Sequence, residues 1–197
     1  MRLHHAGLPL PLLWRAMSLN PARLLGLPSG RLTPGAPADL VLFDLDPGPG
    51  AGLSGALHVA DLLRAYLERQ QLRCYAKTSG GKGIHVLVPV ARSYLFRDVR
   101  AWVRRVAAEL QALHPHEVTT NKALTARRGK VLVDYAQNGL GKSVAAPYSA
   151  RATPLATVSA PLTWKEVARG KVSAEDFTLL TMPKRLQKVG DLLEGIE

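Results

Sequence analysis

Apolar residues follow two different patterns along the chain, one typical of helices and the other typical of strands. Two stretches repeat their apolar residues every three or four positions, which predicts amphipathic helices over about 54–71 and 96–113. We expect Ser54 to cap the first of these helices. Short apolar runs are typical of buried strands, and they lie within residues 39–45, 84–89 and 130–135. Residues 73–78 are predicted as a further strand that forms a hairpin or its close relative with 84–89 across the turn at 79–83.

Weaker patterns complete the predicted elements at both ends of the chain. They indicate an interrupted helix over 8–27, a proline-rich connector over 28–38, a short strand at 157–159, and small helices from Trp164 and Pro183. Strands and helices do not alternate in regular βαβ units. We therefore predict an α+β fold in which helices flank a mixed or antiparallel sheet.

The charge balance favours an anionic partner. Lys and Arg number 26 against 15 Asp and Glu, which gives a formal net charge of +11. Such an excess is typical of proteins that bind nucleic acid, although a solvated cationic surface would produce it too. Aromatic residues make up only 6%, which argues against binding through a long series of stacked bases.

Composition also predicts where the protein works. The single cysteine cannot form an internal disulfide, which favours a reducing compartment, and we expect a cytoplasmic protein. No apolar stretch is long enough for a membrane span, so we expect no membrane association.

Three acidic residues carry the strongest chemical signal. Asp44 and Asp46 lie two positions apart at the end of a predicted strand and therefore point to the same face. Such a pair repels itself and needs a cation, for which a hard divalent ion is the natural choice. Asp134 ends another predicted strand and would supply a third carboxylate. Taken alone, the Asp44 and Asp46 pair fits an ordinary turn equally well.

A glycine-rich turn lies between these acidic positions in the sequence. Glycines at 80, 81 and 83 let backbone N–H groups approach an anion closely, while Ser79 and Lys82 add a hydroxyl and a charge. His85 follows on the next predicted strand and would reach the same phosphate. The segment lacks the P-loop pattern, and a glycine-rich hairpin with a surface lysine remains the alternative.

Four spaced segments resemble one known family. They are FDLDPGPG (43–50), KTSGGKGIHV (77–86), VDYAQN (133–138) and APYSAR (146–151). Together they resemble the polymerase/primase domain of bacterial DNA ligase D, a member of the archaeo-eukaryotic primase superfamily that serves non-homologous end joining. The resemblance covers about residues 43–197 and implies a primase-polymerase-like catalytic half.

The resemblance implies a role for each candidate site residue. Asp44, Asp46 and Asp134 correspond to the catalytic carboxylates that bind Mn²⁺ or Mg²⁺. Residues that correspond to the family's nucleotide-binding positions are Ser79, Lys82, His85, Gln137, Arg151 and Arg127. The implied activity is a DNA polymerase or primase that adds nucleotides to DNA ends. Its implied partners are DNA ends, nucleoside triphosphates, an end-joining ligase and end-binding proteins.

The beginning of the chain has a different resemblance. MSLNPARLLGL (17–27) and GRLTPGAPADLVLF (30–43) resemble the C-terminal tail of a dihydroorotase-type amidohydrolase. We therefore divide the chain into an amidohydrolase-tail-like segment with a connector at 1–42 and a catalytic domain at 43–197. The tail carries none of the amidohydrolase metal ligands, so we expect no hydrolase activity.

The N-terminal portion of the ligase D domain has no counterpart in residues 1–42. In that family it carries phosphate-binding lysines and two phenylalanines that stack on the templating base. We therefore expect metal and nucleotide binding before efficient templated synthesis. The alternative is a catalytically weak module that binds nucleotides or DNA and keeps the basic cleft.

Overall fold

The computed structural model describes residues 38–139, 141–194 and 196. The predicted helix over 8–27 and nearly all of the predicted connector lie outside this part of the chain. The resemblance of residues 1–43 to an amidohydrolase tail therefore rests on the amino-acid sequence.

The described residues form six strands and four helices, and the two short helices come last along the chain. The strands are β1 (Ala38–Pro47), β2 (Tyr75–Thr78), β3 (Ile84–Tyr94), β4 (Val118–Thr119), β5 (Val131–Asp134) and β6 (Pro161–Leu162). The helices are α1 (Gly52–Arg69), α2 (Phe96–Leu113), α3 (Trp164–Arg169) and α4 (Met182–Val189). Short 3₁₀ turns occupy Leu124–Arg127, Tyr135–Gln137 and Ala174–Asp176.

In the described part of the chain, the strands form one sheet in the order β4-β5-β1-β3-β2-β6. The β4 and β5 strands run parallel, and every other neighbouring pair is antiparallel. The predicted α+β fold with a mixed or antiparallel sheet is therefore confirmed. The two central strands, β1 and β3, are also the longest, and each has a neighbouring strand on both sides.

The two faces of the sheet have different chemistry because side chains alternate along each strand. Val41, Phe43 and Leu45 of β1 point into the hydrophobic core, which α1 and α2 cover from one side. Phe43 meets Trp102 of α2 edge to face, with ring centroids 5.5 Å apart. The intervening positions, Asp44 and Asp46, must then point to the opposite face. One apolar stripe on β1 thereby fixes the direction of its acidic residues.

Two local predictions are wrong. The first helix begins at Gly52 with Ala51 as its N-cap, and Ser54 lies inside the first turn. The reason is the preceding turn, in which the Ala51 N–H donates to the Gly48 carbonyl and leads directly into the helix. Residues 157–159 make only isolated bridges to residues 150 and 178, and the strand at this edge is β6. There the side chains of Thr157 and Ser159 donate to the backbone carbonyls of Gly80 and Thr78, which replaces regular strand pairing.

Within the described residues, no helix combines the length and the apolar character that crossing a membrane requires.

Candidate active site

A row of four polar side chains crosses the sheet on the face away from α1 and α2. Lys77 on β2 pairs with His85 on β3, His85 pairs with Asp44 on β1, and Asp44 pairs with Asp134 on β5. Directly paired residues share a face, so all four side chains point the same way. All four are buried, and Lys77 is completely inaccessible. Buried ionisable groups in register on four strands indicate a functional site.

Asp134 lies where β5 ends. Its Oδ1 accepts a hydrogen bond of 2.9 Å from the Ala136 N–H, which starts the 3₁₀ turn after the strand. The Lys122 ammonium lies 2.8 Å from Oδ1 and 2.9 Å from Oδ2 of the same carboxylate. A cation therefore already contacts Asp134 on its accessible side.

Asp46 follows two positions after Asp44 on the same face and is half-buried. Burial raises the pKa of its carboxyl, and the charges of Asp44 and Asp134 add to this effect, while Arg127 opposes it. The Arg127 guanidinium donates from Nη2 to the Asp46 backbone carbonyl at 3.3 Å. The three carboxylates are thus close enough to influence one another, and their charge is only partly compensated.

These residues fit a hard divalent cation. Two buried carboxylates face each other across adjacent strands, a third carboxyl has a raised pKa in their field, and all offer oxygen ligands. No set of three His, Cys, Asp or Glu side chains has the spacing of a finished metal site in the described residues. Asp44, Asp46 and Asp134 are the residues that would hold an ion here.

The glycine-rich turn packs directly against the acidic strand. Ser79 organises it, because its Oγ accepts from the N–H groups of Gly81 at 3.2 Å and Gly83 at 3.1 Å. A Cβ atom at Gly83 would lie 2.7 Å from the Leu45 carbonyl oxygen and 3.3 Å from Oδ1 of Asp46. Glycine at this position is what allows the turn and the carboxylates to share one site.

Basic side chains border the turn. A Cβ at Gly80 would lie 2.5 Å from Cγ of Arg151, so the aliphatic part of Arg151 covers this glycine. Lys82 is exposed at the tip of the turn. It borders a groove of about 740 Å³ that the loop Pro47–Leu53 lines from the other side.

The structure brings most of the predicted site residues together. Asp44, Asp46, Asp134 and His85 share one face, Ser79 and Lys82 belong to the turn beside them, and Arg127 and Arg151 flank the group. Gln137 ends the 3₁₀ turn that follows Asp134 and is half-buried. The strands that carry Asp46 and Asp134 are adjacent, as a shared carboxylate site requires. The chemical role of each residue stays a prediction.

Sequence reasoning missed three residues of this site. Lys77 belongs to the quoted turn segment but received no role, although the hairpin register pairs it with His85. No sequence pattern indicated a role for Lys122, because only the fold brings its ammonium group to Asp134. Asn138 received no structural role either. Its side-chain amide bonds both the N–H of Leu42 at 2.9 Å and the C=O of Leu42 at 2.6 Å.

Acidic residues on adjacent strands, beside a glycine-rich turn and basic side chains, form an arrangement that suits metal-assisted nucleotidyl transfer. Comparison with known sequences agrees, since the family model described as "LigD, primase-polymerase domain" matches residues 24–193. The chain belongs to this family, which is metal-dependent. The matched region starts before residue 43 and so overlaps the segment that resembles amidohydrolases.

Relatives and a solved structure support the same assignment. The multifunctional non-homologous end joining protein LigD of Mycolicibacterium smegmatis is 37% identical over 161 residues, which are 82% of this chain and 21% of that protein. A structure of the polymerase domain from Mycobacterium tuberculosis ligase D in complex with DNA has a TM-score of 0.77 at 36% identity. The match covers 86% of this chain and 58% of the solved one. The chain therefore spans about a fifth of the length of the curated relative.

A second similarity involves a short stretch. A dihydroorotase of Clostridium botulinum is 58% identical over 40 residues, which are 20% of this chain and 10% of the dihydroorotase. The relative is of the enzyme class that the beginning of the chain resembles, and the 40 matched residues are about as many as the segment with that resemblance.

Proposed function

We propose that this chain is a metal-dependent nucleotidyltransferase that adds nucleotides to DNA ends during non-homologous end joining. The buried acidic pair Asp44 and Asp134, in register on adjacent strands of a primase-polymerase fold, is the observation that carries the proposal. Membership of the LigD primase-polymerase family supports it. We propose that residues 43–197 are the catalytic domain and that residues 1–42 are a separate segment.

Asp44, Asp46 and Asp134 would hold the ions, which we propose to be Mn²⁺ or Mg²⁺. When bound, such ions stabilise the attacking and leaving oxygens of an in-line displacement at the α-phosphate. The protein contributes a fixed arrangement of carboxylates on a rigid sheet. It also supplies a buried setting in which charges act strongly on one another.

We assign the triphosphate to the glycine-rich turn and the side chains around it. Ser79 shapes the turn, Lys82 and Arg151 supply positive charge, and His85 donates a hydrogen bond. Gln137 and Arg127 would contact the nucleotide from the side of Asp134 and Asp46. The Nε of Arg127 is buried and has no hydrogen-bond partner in the described residues, which supports a ligand role for this side chain.

DNA ends are the proposed second substrate. The net charge of +11 suits a polyanion, and the related ligase D polymerase domain was solved with DNA. We further propose that an end-joining ligase and end-binding proteins act with this chain, and that it works in the cytoplasm. The buried free thiol of Cys74 is compatible with a reducing compartment.

An extension assay tests the proposal. It combines the full chain, Mn²⁺, a labelled nucleotide and a DNA end with a recessed 3′-hydroxyl. We expect extension that Asp44→Asn and Asp134→Asn each reduce by at least about 1,000-fold, because each removes a ligand worth several kcal/mol in the transition state. Asp98→Asn is the matched control, because Asp98 lies on α2 and contacts Arg97 on the surface. Its extension rate should stay within about twofold of the wild type.

The same assay separates the enzyme from the alternative. A catalytically weak binding module would retain DNA with strong salt dependence but give no product at any metal concentration. Extension that persists in both Asp44→Asn and Asp134→Asn would overturn the assignment of the acidic site.

A further inference from the structure

Lys77 has an unusual position for a lysine. Its side chain is completely buried, yet it is surrounded by acceptors rather than by a single carboxylate. The ammonium nitrogen lies 2.8 Å from the Ala145 carbonyl, 2.6 Å from Ser159 Oγ and 2.8 Å from His85 Nδ1. A lysine is rarely buried unless its charge and all its donors are used. Three acceptors for three ammonium hydrogens meet this condition.

Two of these contacts have a fixed direction. A carbonyl oxygen can only accept, so Lys77 donates to Ala145. The Ser159 hydroxyl gives its own hydrogen to the Thr78 carbonyl at 2.7 Å, so it accepts from Lys77. The third position on the Lys77 nitrogen then faces Nδ1 of His85.

The far side of the His85 ring decides where its hydrogen lies. Nε2 of His85 is 3.4 Å from Oδ1 of Asp44, a carboxylate that only accepts. An ammonium group can only donate, so Nδ1 of His85 accepts from Lys77 and the hydrogen of the ring lies on Nε2. Burial lowers the pKa of Lys77 to about 7, Asp44 opposes this change and Arg151 adds to it.

We propose that Lys77 is a positioning residue that fixes His85 in the form with a hydrogen on Nε2, directed along the polar row toward Asp44 and the triphosphate site. This inference rests on the proposed function, because it assigns His85 its donor role toward a phosphate oxygen. Lys77 itself reaches neither the nucleotide nor the metal site. It acts only through the imidazole ring.

The inference explains why a lysine, rather than an apolar residue, occupies the centre of this face. Without the donor at Lys77, only the longer contact of 3.4 Å with Asp44 would favour the ring hydrogen on Nε2. In the form with a hydrogen on Nδ1, Nε2 would present a lone pair to Asp44 and to the phosphate oxygens, and both contacts would become repulsive. The contact of 2.8 Å between Lys77 and Nδ1 opposes that form.

Nitrogen-15 NMR of the histidine side chains tests the inference without any need for activity. Spectra of the metal-free protein, recorded at neutral pH and assigned with His85→Gln, report which ring nitrogen is protonated. We expect Nε2–H in the wild type, a shift toward Nδ1–H in Lys77→Met, and retention of Nε2–H in Lys77→Gln, whose amide still donates. Ser159→Ala is the matched control: it removes another contact of Lys77 but leaves the donor to Nδ1.

Nucleotide kinetics provide the second readout. Loss of one hydrogen bond to a charged phosphate should raise KM for the nucleotide by about 10-fold in Lys77→Met. In a His85→Gln background the same substitution should change KM by less than about twofold, because Lys77 acts only through His85. An Nδ1–H form in the wild type would overturn the inference, even if Lys77→Met does not fold. So would a full additional loss in the double variant. Absence of extension by the wild type, with the NMR result intact, would instead count against the proposed function.

Discussion

Asp44 and Asp134 lie directly opposite each other on neighbouring antiparallel strands, and both carboxylates are buried. Two like charges at this separation destabilise a sheet unless a cation compensates them. Lys122 provides part of this compensation from a side chain that is 55% exposed. The sheet thus accepts a local cost in stability in order to present a cation-binding pair.

The contact between Lys122 and Asp134 predicts competition with a divalent ion. In Lys122→Met an incoming ion no longer has to displace an ammonium group from the Asp134 carboxylate. The repulsion between the Lys122 charge and the ion is also removed. We expect the Kd for Mn²⁺, measured by calorimetry, to fall about two- to fivefold, as suits a partly exposed ion pair. Lys130→Met is the control, because the Lys130 ammonium donates to the Pro115 carbonyl. Weaker Mn²⁺ binding in Lys122→Met would mean that Lys122 organises Asp134 instead of competing for it.

The close approach of the glycine-rich turn to β1 predicts a strict requirement for glycine at one position. In Gly83→Ala the new methyl group would press on the Leu45 carbonyl and the Asp46 carboxylate. We expect a loss of about 1–3 kcal/mol in the free energy of unfolding and weaker Mn²⁺ binding. Gly81→Ala meets only Ser79 Oγ, at 3.6 Å, and should unfold at nearly the wild-type denaturant concentration. Equal stability of the two variants in denaturant titrations would refute the packing argument.

Asn138 takes the place of a neighbouring strand beside Leu42. Asn138→Leu removes both hydrogen bonds and leaves two buried backbone groups of Leu42 without partners. The expected loss is about 2–4 kcal/mol in the free energy of unfolding. Amide hydrogen exchange should also show faster exchange at the Leu42 N–H.

Asn121→Ala is the control for this variant, because Asn121 is exposed and only caps a turn at Ala123. Its effect should not exceed about 1 kcal/mol. Unchanged exchange at Leu42 in Asn138→Leu would show that another group satisfies that backbone.

The ion pair between Glu166 and Arg185 predicts a pH dependence of stability. Burial acts to raise the pKa of Glu166, but hydrogen bonds from Arg185 and Thr163 outweigh it and lower the pKa to about 2. Since the folded pKa lies below the ordinary value of 4.5, the pair stabilises the fold above about pH 4.5. This contribution is lost as the pH falls through about 2.

Glu166→Gln should therefore cost about 2 kcal/mol in the free energy of unfolding at neutral pH. The difference from the wild type should disappear in strong acid. Denaturant titrations across the acidic range measure it. Glu68→Gln is the control: Glu68 is 53% exposed and pairs with Arg64 on the surface of α1, so it should cost less than about 0.5 kcal/mol. A difference for Glu166→Gln that persists unchanged into strong acid would contradict the pKa argument.

Sequence patterns predicted the long elements well and the short ones poorly. The helix Phe96–Leu113 has the predicted bounds, because its apolar face repeats over five turns and packing simply follows the pattern. β4 and β6 have two residues each, which is too short for any periodic signal. Ser54 was a sound cap by residue type, but the turn at Gly48–Ala51 determined where the helix begins.

At the site, the residue types indicated the chemistry, and the pairing register of the strands determined which side chains lie next to one another. Asp44 and Asp46 were assigned to one face because the period of a strand requires it. Lys122, Lys77 and Asn138 received no role, since their contacts join positions that are distant in sequence or hidden within a turn segment.

By itself, the amino-acid sequence determined which side chains of each strand point away from the core, because alternation is a local property of an extended chain. It also determined the acidic and glycine-rich composition of the site. The tertiary structure alone decided that Asp134 lies beside Asp44 and that a buried lysine supports His85. Those contacts depend on strand order and register, which are set by the packing of the whole sheet against its helices.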